Sequence, residues 1–135
     1  MRSKSTSNSI TAYIFFVIIP LIMLSLFIYY AYNYSVSSPL RVTSEEARKL
    51  RAKGQVDTIV DVRTDLEWSV GHFEGATHVP VSKIKDQAEI YLPNKYASIL
   101  VYCNTGQRAR MAAEELVKQG YTNVKYIAGP YKTLY

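Results

Sequence analysis

The strongest constraint on how this chain folds is an uncharged apolar run near its start. The run extends from Ile10 to Tyr32, has 23 residues and contains no Asp, Glu, Lys or Arg. At about 1.5 Å rise per residue, a helix of this length crosses a hydrocarbon core of roughly 30 Å. Tyrosines typical of a membrane interface gather at its carboxyl end: Tyr29, Tyr30 and Tyr32. The run therefore predicts one membrane-spanning helix outside any globular core.

A cleaved signal peptide is the alternative interpretation of the same run. The chain start is basic, through Arg2 and Lys4, and small residues follow the run at Ser35 and Ser37. The apolar region of a signal peptide, however, spans only roughly 7–15 residues, and no A-x-A cleavage site follows here. We therefore favour an uncleaved anchor, and we expect Pro20 to kink it.

The basic residues around the run predict its orientation. Arg2 and Lys4 precede it with no acid to oppose them, whereas Arg41 and Arg48 follow it. Under the positive-inside rule this distribution favours a single-pass protein with a cytoplasmic N-terminus and its domain on the opposite side.

The whole chain is predicted to consist of four segments. Residues 1–9 form a basic tail, 10–32 the membrane helix, 33–39 a polar linker and 40–135 one domain. The net charge is +5 and the basic residues are interleaved with acids, so no nucleic-acid footprint is predicted. A single cysteine excludes an internal disulfide, and without a CxxC or His/Cys cluster we predict no metal site.

Strand and helix patterns alternate along the domain. Strands are predicted at Thr58–Val62, His78–Val79, Ala97–Tyr102 and Asn123–Ile127. Helices are predicted to follow caps at Thr43, where Glu46 completes a capping box, and at Ser82. A third begins near Arg108 and shows an apolar stripe at helical spacing: Ala109, Ala112, Ala113, Leu116 and Val117. The alternation predicts an α/β fold with a mainly parallel central sheet.

Cys103 ends one predicted strand and is followed by a short loop and a helix. Ligands of parallel sheets bind at this end of the strands, and Gly106 permits a positive φ in the loop. Loop N–H groups, the helix N-terminus and the Arg108 guanidinium are expected to lower the thiol pKa from about 8.5 and to bind an anion. A lone cysteine is often an inert core residue, but the glycine and arginine favour a reactive one.

Three motifs in order resemble those of the rhodanese, or thiosulfate sulfurtransferase, family. The segment from Cys103 to Ala109 is similar to the family motif C-x-x-G-x-R-[SA]. The segment from Gly71 to Pro80 is similar to the motif G-H-I-x-G-A-x-x-[IV]-P. Asp61-Val62-Arg63, followed by Glu67-Trp68, resembles D-V-R…E-[FYW]. Each motif is weak alone, but all three in this order and at this spacing are strong evidence, and the resemblance covers most of residues 40–135. The resemblance implies a rhodanese-like three-layer sandwich around the parallel sheet.

The resemblance also implies a chemistry that needs neither metal nor organic cofactor. Cys103 would attack a small sulfur donor such as thiosulfate and form a persulfide, and a thiol, cyanide or a protein acceptor would then take the sulfur. Arg108 would bind the anion, and the backbone N–H groups of the loop would hold the sulfur. The substrate-binding loop comprises Asn104, Thr105, Gly106 and Gln107.

Four further residues of the motifs are expected to give structural support: Asp61, Arg63, Glu67 and His72. We expect Asp61 and Arg63 to brace the active-site loop and to pair with Glu67, and His72 to fix a turn. After the last strand, Gly129-Pro130 leaves room for at most one helical turn before Tyr135.

Three other functions compete with sulfur transfer. Rhodanese-like phosphatases and arsenate reductases use a C-x5-R loop, whereas Cys103 and Arg108 give the tighter C-x4-R, which suits a single sulfur atom. A non-catalytic rhodanese-like module tethered at the membrane would need neither the cysteine nor the arginine. A redox sensor would use an oxidisable thiol, but the chain has no second cysteine to resolve it.

Overall fold

The apolar run forms one helix from Ile10 to Val36 in a computed structural model, which describes residues 10–135. The predicted basic tail, 1–9, lies outside the described residues. The helix is long and apolar enough to cross a membrane, a property that a signal sequence near the N-terminus shares. Residues 33–36, expected in the polar linker, are instead helical.

A π-helical turn lies just before Pro20, the residue at which we expect a kink. This turn covers Ile14–Ile18, and α1 continues over Ile19–Val36. The Ile19 N–H donates to Ile14 O, five residues back. A proline ring clashes with the carbonyl four residues earlier, so the wider π turn just before it relieves that crowding.

The second compact unit, Tyr34–Tyr135, is built on a parallel sheet of five strands. The strands are β1 (Arg41–Val42), β2 (Thr58–Asp61), β3 (Thr77–His78), β4 (Ser98–Tyr102) and β5 (Asn123–Ile127). Their order across the sheet is β1-β5-β4-β2-β3, and every neighbouring pair is parallel. Because β2 lies beside β4, the loops that follow these two strands emerge at the same edge.

The helices of this unit are α2 (Ser44–Ala52), α3 (Asp65–Val70), α4 (Val81–Tyr91) and α5 (Gln107–Lys118), and a 3-10 turn covers Tyr131–Leu134. The capping box at Thr43 and Glu46 is confirmed. The cap predicted at Ser82 is wrong, since α4 already begins at Val81 after Pro80. The fixed φ of a proline suits the entry to a helix, so no side-chain cap is required there.

Helices cover both faces of the sheet, and this confirms the three-layer fold. On one face, α4 and α5 pack against Val60, Val101 and neighbouring strand residues. On the other face, Leu100 and Ile127 pack with Ala47 of α2 and with Leu134 of the 3-10 turn. Alternation along β4 explains the division, because successive side chains point to opposite faces.

Candidate active site at Cys103

Cys103 lies directly after β4, on the face of the sheet that α5 covers. Strand alternation places it with Ile99 and Val101 in one apolar cluster and places Tyr102 on the opposite face. The cysteine is 0% exposed. Its Sγ nevertheless accepts a hydrogen bond from the Gly106 N–H, with 3.1 Å between N and Sγ. The sulfur is therefore buried and at the same time accepts a hydrogen bond from the loop, a contact that packing in an apolar core does not require.

Gly106 is required at its position for two independent reasons. Its φ is +100°, in the region that side-chain-bearing residues avoid, and this confirms the predicted positive φ. A Cβ added there would lie 2.7 Å from the Cβ of Ala128. The glycine thus turns its N–H toward the sulfur while its backbone passes close to the end of β5.

The loop ends in the first turn of α5. Gly106 is the N-cap of this helix, and its carbonyl accepts the Arg110 N–H at 2.8 Å. The hydroxyl of Thr105 donates to the side-chain oxygen of Gln107. Asn104 and Thr105 are exposed, so the loop presents polar side chains to solvent immediately after the buried cysteine in the sequence.

Arg108 forms a bidentate ion pair with Glu67. Its two terminal nitrogens lie 2.6 and 2.8 Å from the carboxylate oxygens of Glu67. These hydrogen bonds raise the pKa of Arg108 and hold the pKa of Glu67 far below its usual range. The expected pair between Arg63 and Glu67 is therefore wrong, because the carboxylate is already occupied by Arg108.

Glu67 also connects the loop to a helix that the sequence patterns did not predict. One carboxylate oxygen accepts from the Asn104 side-chain amide at 2.7 Å, and the other from the N–H and hydroxyl of Thr64 at 3.0 and 2.8 Å. Thr64 is the N-cap of α3, and with Glu67 it forms a complete capping box. The spacing T-x-x-E is visible in the sequence, and as a capping-box pattern it predicts both the start of this helix and the capping function of Glu67.

Asp61 and Arg63 form a separate, buried network behind the loop. Arg63 donates to both carboxylate oxygens of Asp61 and, at 2.7 Å, to the carbonyl of Gly71. The Tyr102 hydroxyl donates to Asp61 at 2.6 Å and accepts the Phe73 N–H at 3.1 Å. Burial raises the pKa of Tyr102, so this hydroxyl remains a donor. The network ties β2 and β4 to the segment that follows α3.

His72 lies beside α3, outside the ring of contacts around Cys103 just described. Its ring stacks on Trp68 with 3.5 Å between centroids and 6° between planes. Its Nδ1 lies 3.0 Å from the carbonyl oxygen of Trp68. These contacts hold the chain where it leaves α3, in keeping with the expectation that His72 fixes a turn.

Comparison with known proteins assigns a family to this fold and loop. A sequence model described as the rhodanese-like domain matches residues 43–134. The thiosulfate sulfurtransferase GlpE of Pseudomonas entomophila is 36% identical over 95 residues, which are 68% of this chain and 81% of that protein. The chain therefore belongs to the rhodanese-like domain family.

A solved structure agrees with this assignment, and another relative limits what it implies. The human single-domain sulfurtransferase TSTD1 superposes with a TM-score of 0.61 and 28% identity, over 71% of this chain and 95% of that one. The tRNA uridine(34) hydroxylase of Photorhabdus laumondii is 37% identical over 78 residues, 54% of this chain. Those residues span only 22% of the hydroxylase. The domain thus also occurs within a longer protein with a different named activity.

Proposed function

We propose that this protein is a sulfurtransferase in which Cys103 carries a sulfur atom from a small donor to an acceptor. The observation that carries the proposal is the hydrogen bond from the Gly106 N–H to Cys103 Sγ. An amide donor directed at sulfur stabilises a thiolate, or the terminal anion of a persulfide, more than a neutral thiol. Relatives named as thiosulfate sulfurtransferases support the same chemistry.

The reaction has two displacement steps. The Cys103 thiolate attacks the outer sulfur of thiosulfate, the bond between the two donor sulfurs breaks, and its electron pair leaves with sulfite. Cys103 is left as a persulfide anion. A thiolate or cyanide then attacks the outer sulfur of that persulfide, and the electron pair of the breaking bond returns to Cys103 Sγ. The steps balance without a metal, an oxidant or an organic cofactor.

The loop residues have distinct functions in this scheme. The backbone N–H groups from Asn104 to Arg108 hold the transferred sulfur, and Gly106 donates the hydrogen bond already in place. Arg108 attracts the anionic donor, but the carboxylate of Glu67 offsets much of its charge. We therefore expect modest affinity for a dianion such as thiosulfate.

Access to the sulfur requires motion of the residues that surround it. Cys103 is fully buried, whereas the next two residues, Asn104 and Thr105, are exposed. A donor that contacts Sγ must first displace the atoms that cover it, and a small donor needs the smallest displacement. The proposal therefore favours small sulfur compounds as donors, with a thiol, cyanide or an exposed cysteine of a partner protein as the acceptor.

The proposed location is a membrane, with the apolar helix as a single-pass anchor. The support is the length and apolar character of Ile10–Val36. We assign 10–32 to the membrane and 40–135 to the rhodanese-like domain, with the N-terminus cytoplasmic and the domain on the opposite side. Immunoblotting tests the anchor, since removal of a signal peptide would make the mature protein roughly 4 kDa lighter.

Thiocyanate formation from thiosulfate and cyanide by the full chain in detergent tests the proposed activity. Wild-type protein is expected to turn over, and both Cys103→Ser and Cys103→Ala are expected to be inactive, because neither side chain forms a persulfide. Circular dichroism of the variants controls for folding. Equal turnover by wild-type and Cys103→Ser protein would refute the proposal.

A non-catalytic binding module is the second candidate, and the complete burial of Cys103 is the observation that favours it. A module of this kind would leave the thiol unreactive under native conditions. Alkylation with iodoacetamide distinguishes the two, because a loop that opens gives steady modification of folded protein. A thiol that reacts only after denaturation would support the binding module instead.

A further inference from the structure

The last residues of α1 and the two residues after it are part of the folded domain, although their composition is that of a solvated linker. We call residues 34–38 the neck. Ser35 and Ser38 of the neck are only 2% and 8% exposed. A serine is usually found at the surface, so two buried serines in five residues indicate that this segment is held in place by specific partners.

Tyr126 of β5 holds the centre of the neck. Its hydroxyl donates to the carbonyl oxygen of Ser35 at 2.7 Å, and both groups are buried. Such a bond satisfies a backbone carbonyl that is shielded from water where α1 ends. Loss of the hydroxyl would leave this carbonyl without that donor inside the domain.

Arg110 of α5 holds the neck on both sides of Ser35. Its guanidinium donates to the carbonyl of Tyr34 and, at 3.2 Å, to the hydroxyl of Ser37. The same group lies 4.0 Å from the ring centroid of Tyr34, and Glu114 fixes its orientation through a 2.7 Å ion pair. A planar guanidinium with several donors suits such a combined contact, which a lysine does not reproduce.

The neck lies directly against the glycine that donates to the reactive sulfur. A Cβ added to Gly106 would lie 3.2 Å from the Cβ of Ser35 and 2.7 Å from that of Ala128. Gly106 is therefore confined between the neck on one side and the end of β5 on the other. Glycine has the widest conformational freedom of any residue, so these contacts keep its N–H pointed at Cys103.

We propose that the neck is a positioning element of the active site, in which Arg110 and Tyr126 hold Ser35 against Gly106 and so keep the Gly106 N–H on the Cys103 sulfur. The proposal rests on the reactivity of Cys103 under the proposed function. It assigns a function to the side chain of Arg110, which lies two residues after Arg108 and contacts the neck.

Two variants of the full chain in detergent test this inference, Tyr126→Phe and Arg110→Ala. Tyr126→Phe removes the hydroxyl that donates to the Ser35 carbonyl without a change of charge, whereas Arg110→Ala also removes a cation. Lys118→Ala is the matched control, because it removes an exposed cation from the last turn of the same helix. The charged pair nearest the loop, Arg108 and Glu67, is intact in all three.

The measured quantity is the rate of Cys103 alkylation by iodoacetamide as a function of pH, together with the rate of thiocyanate formation. Both neck variants are expected to raise the midpoint of the alkylation profile by about 0.5 pH unit or more, because the thiolate loses an oriented donor. Sulfur transfer is expected to slow about threefold or more, in proportion to the lost thiolate. Lys118→Ala is expected to match the wild type.

Three results would overturn the inference or separate it from the proposed function. Unchanged midpoints in both variants, with only a lower unfolding temperature, would show that the neck stabilises the domain without positioning Gly106. A shift in Arg110→Ala alone would show an effect of charge, not of position. If the wild type transfers no sulfur but the midpoints still shift, the proposed function fails while the positioning function stands.

Discussion

Two arginine–carboxylate pairs lie near the Cys103 end of the sheet, and they differ in burial and in what they contact. In the inner pair, the side chains of Arg63 and Asp61 are 6% and 0% exposed. In the outer pair, Arg108 and Glu67 are 31% and 28% exposed. The inner pair bonds to Gly71 and Tyr102, which belong to the scaffold, whereas the outer pair contacts the loop after Cys103 through Asn104.

This difference in burial indicates that an arginine–carboxylate pair has a different function in the interior of the domain from the one it has near the surface. Removing one partner of a buried pair leaves an uncompensated charge, so such a pair is costly to break even where its net contribution is small. A partly exposed pair is cheap to break because water replaces the lost partner. The inner pair therefore defines the scaffold, and the outer pair is free to adjust the charge and position of the loop.

Arg63→Met tests the inner pair and has the largest expected effect. It leaves Asp61 charged, buried and deprived of its main donors, so we expect the free energy of unfolding to fall by about 3–5 kcal/mol. Urea unfolding of the full chain in detergent measures this loss. Addition of Asp61→Asn to Arg63→Met should restore part of it, and a loss below about 1 kcal/mol would contradict the distinction between the pairs.

Glu67→Gln tests the outer pair and should act on the substrate more than on stability. The loss in unfolding free energy is expected to be about 1 kcal/mol, since both side chains are partly solvated. Removal of the carboxylate leaves the Arg108 cation unopposed, so KM for thiosulfate should fall several-fold. Steady-state kinetics and urea unfolding measure the two effects. A loss of stability as large as that of Arg63→Met, with KM unchanged, would contradict the assignment.

The dependence of stability on pH tests the outer pair selectively, and its expected effect is the smallest of the three. The Arg108 guanidinium lowers the pKa of Glu67 below its ordinary value of 4.5, so the folded state binds this proton more weakly than the unfolded state. The contribution of the pair is thus complete above about pH 4.5 and is lost as pH falls through the folded pKa. Wild-type and Glu67→Gln stabilities should differ by a constant amount at neutral pH and converge in acid. A difference of unchanged size from neutral pH down to about pH 3 would refute this, because the loss should begin below about pH 4.5.

The unit from β4 through α5 was predictable because its signals are local. An apolar strand, a glycine at the turn and an apolar stripe at helical spacing are all contiguous in the sequence, and the structure confirms each of them. Of the apolar stripe, only Val117 is not buried, since it lies at the end of the stripe and is 44% exposed. Local patterns of this type need no knowledge of which strands become neighbours.

The pairing of the arginines was not predictable, because it depends on the order of strands in the sheet. Glu67 meets Arg108 only because β2 lies beside β4 and their following loops share one edge. Helix α3 escaped detection for a different reason. Its apolar residues Leu66 and Val70 are 75% and 84% exposed, so no buried periodicity marks it. Only the capping box that begins at Thr64 indicates this helix in the sequence.

The neck shows the same limit in a polar segment. Serines carry no signal of burial, so residues 34–38 have the composition of a solvated linker. Their burial depends on the distant residues Arg110 and Tyr126. Long-range partners of this kind are visible only once the chain has folded.

Intact-mass spectrometry of the full chain after thiosulfate treatment tests the central claim most directly. If Gly106 and its loop stabilise a sulfur anion on Cys103, the mass rises by about 32 Da, and cyanide or a thiol removes the increase. Cys103→Ser protein should show no change. A wild-type mass that is unaltered by thiosulfate, under conditions where iodoacetamide does label Cys103, would contradict the account.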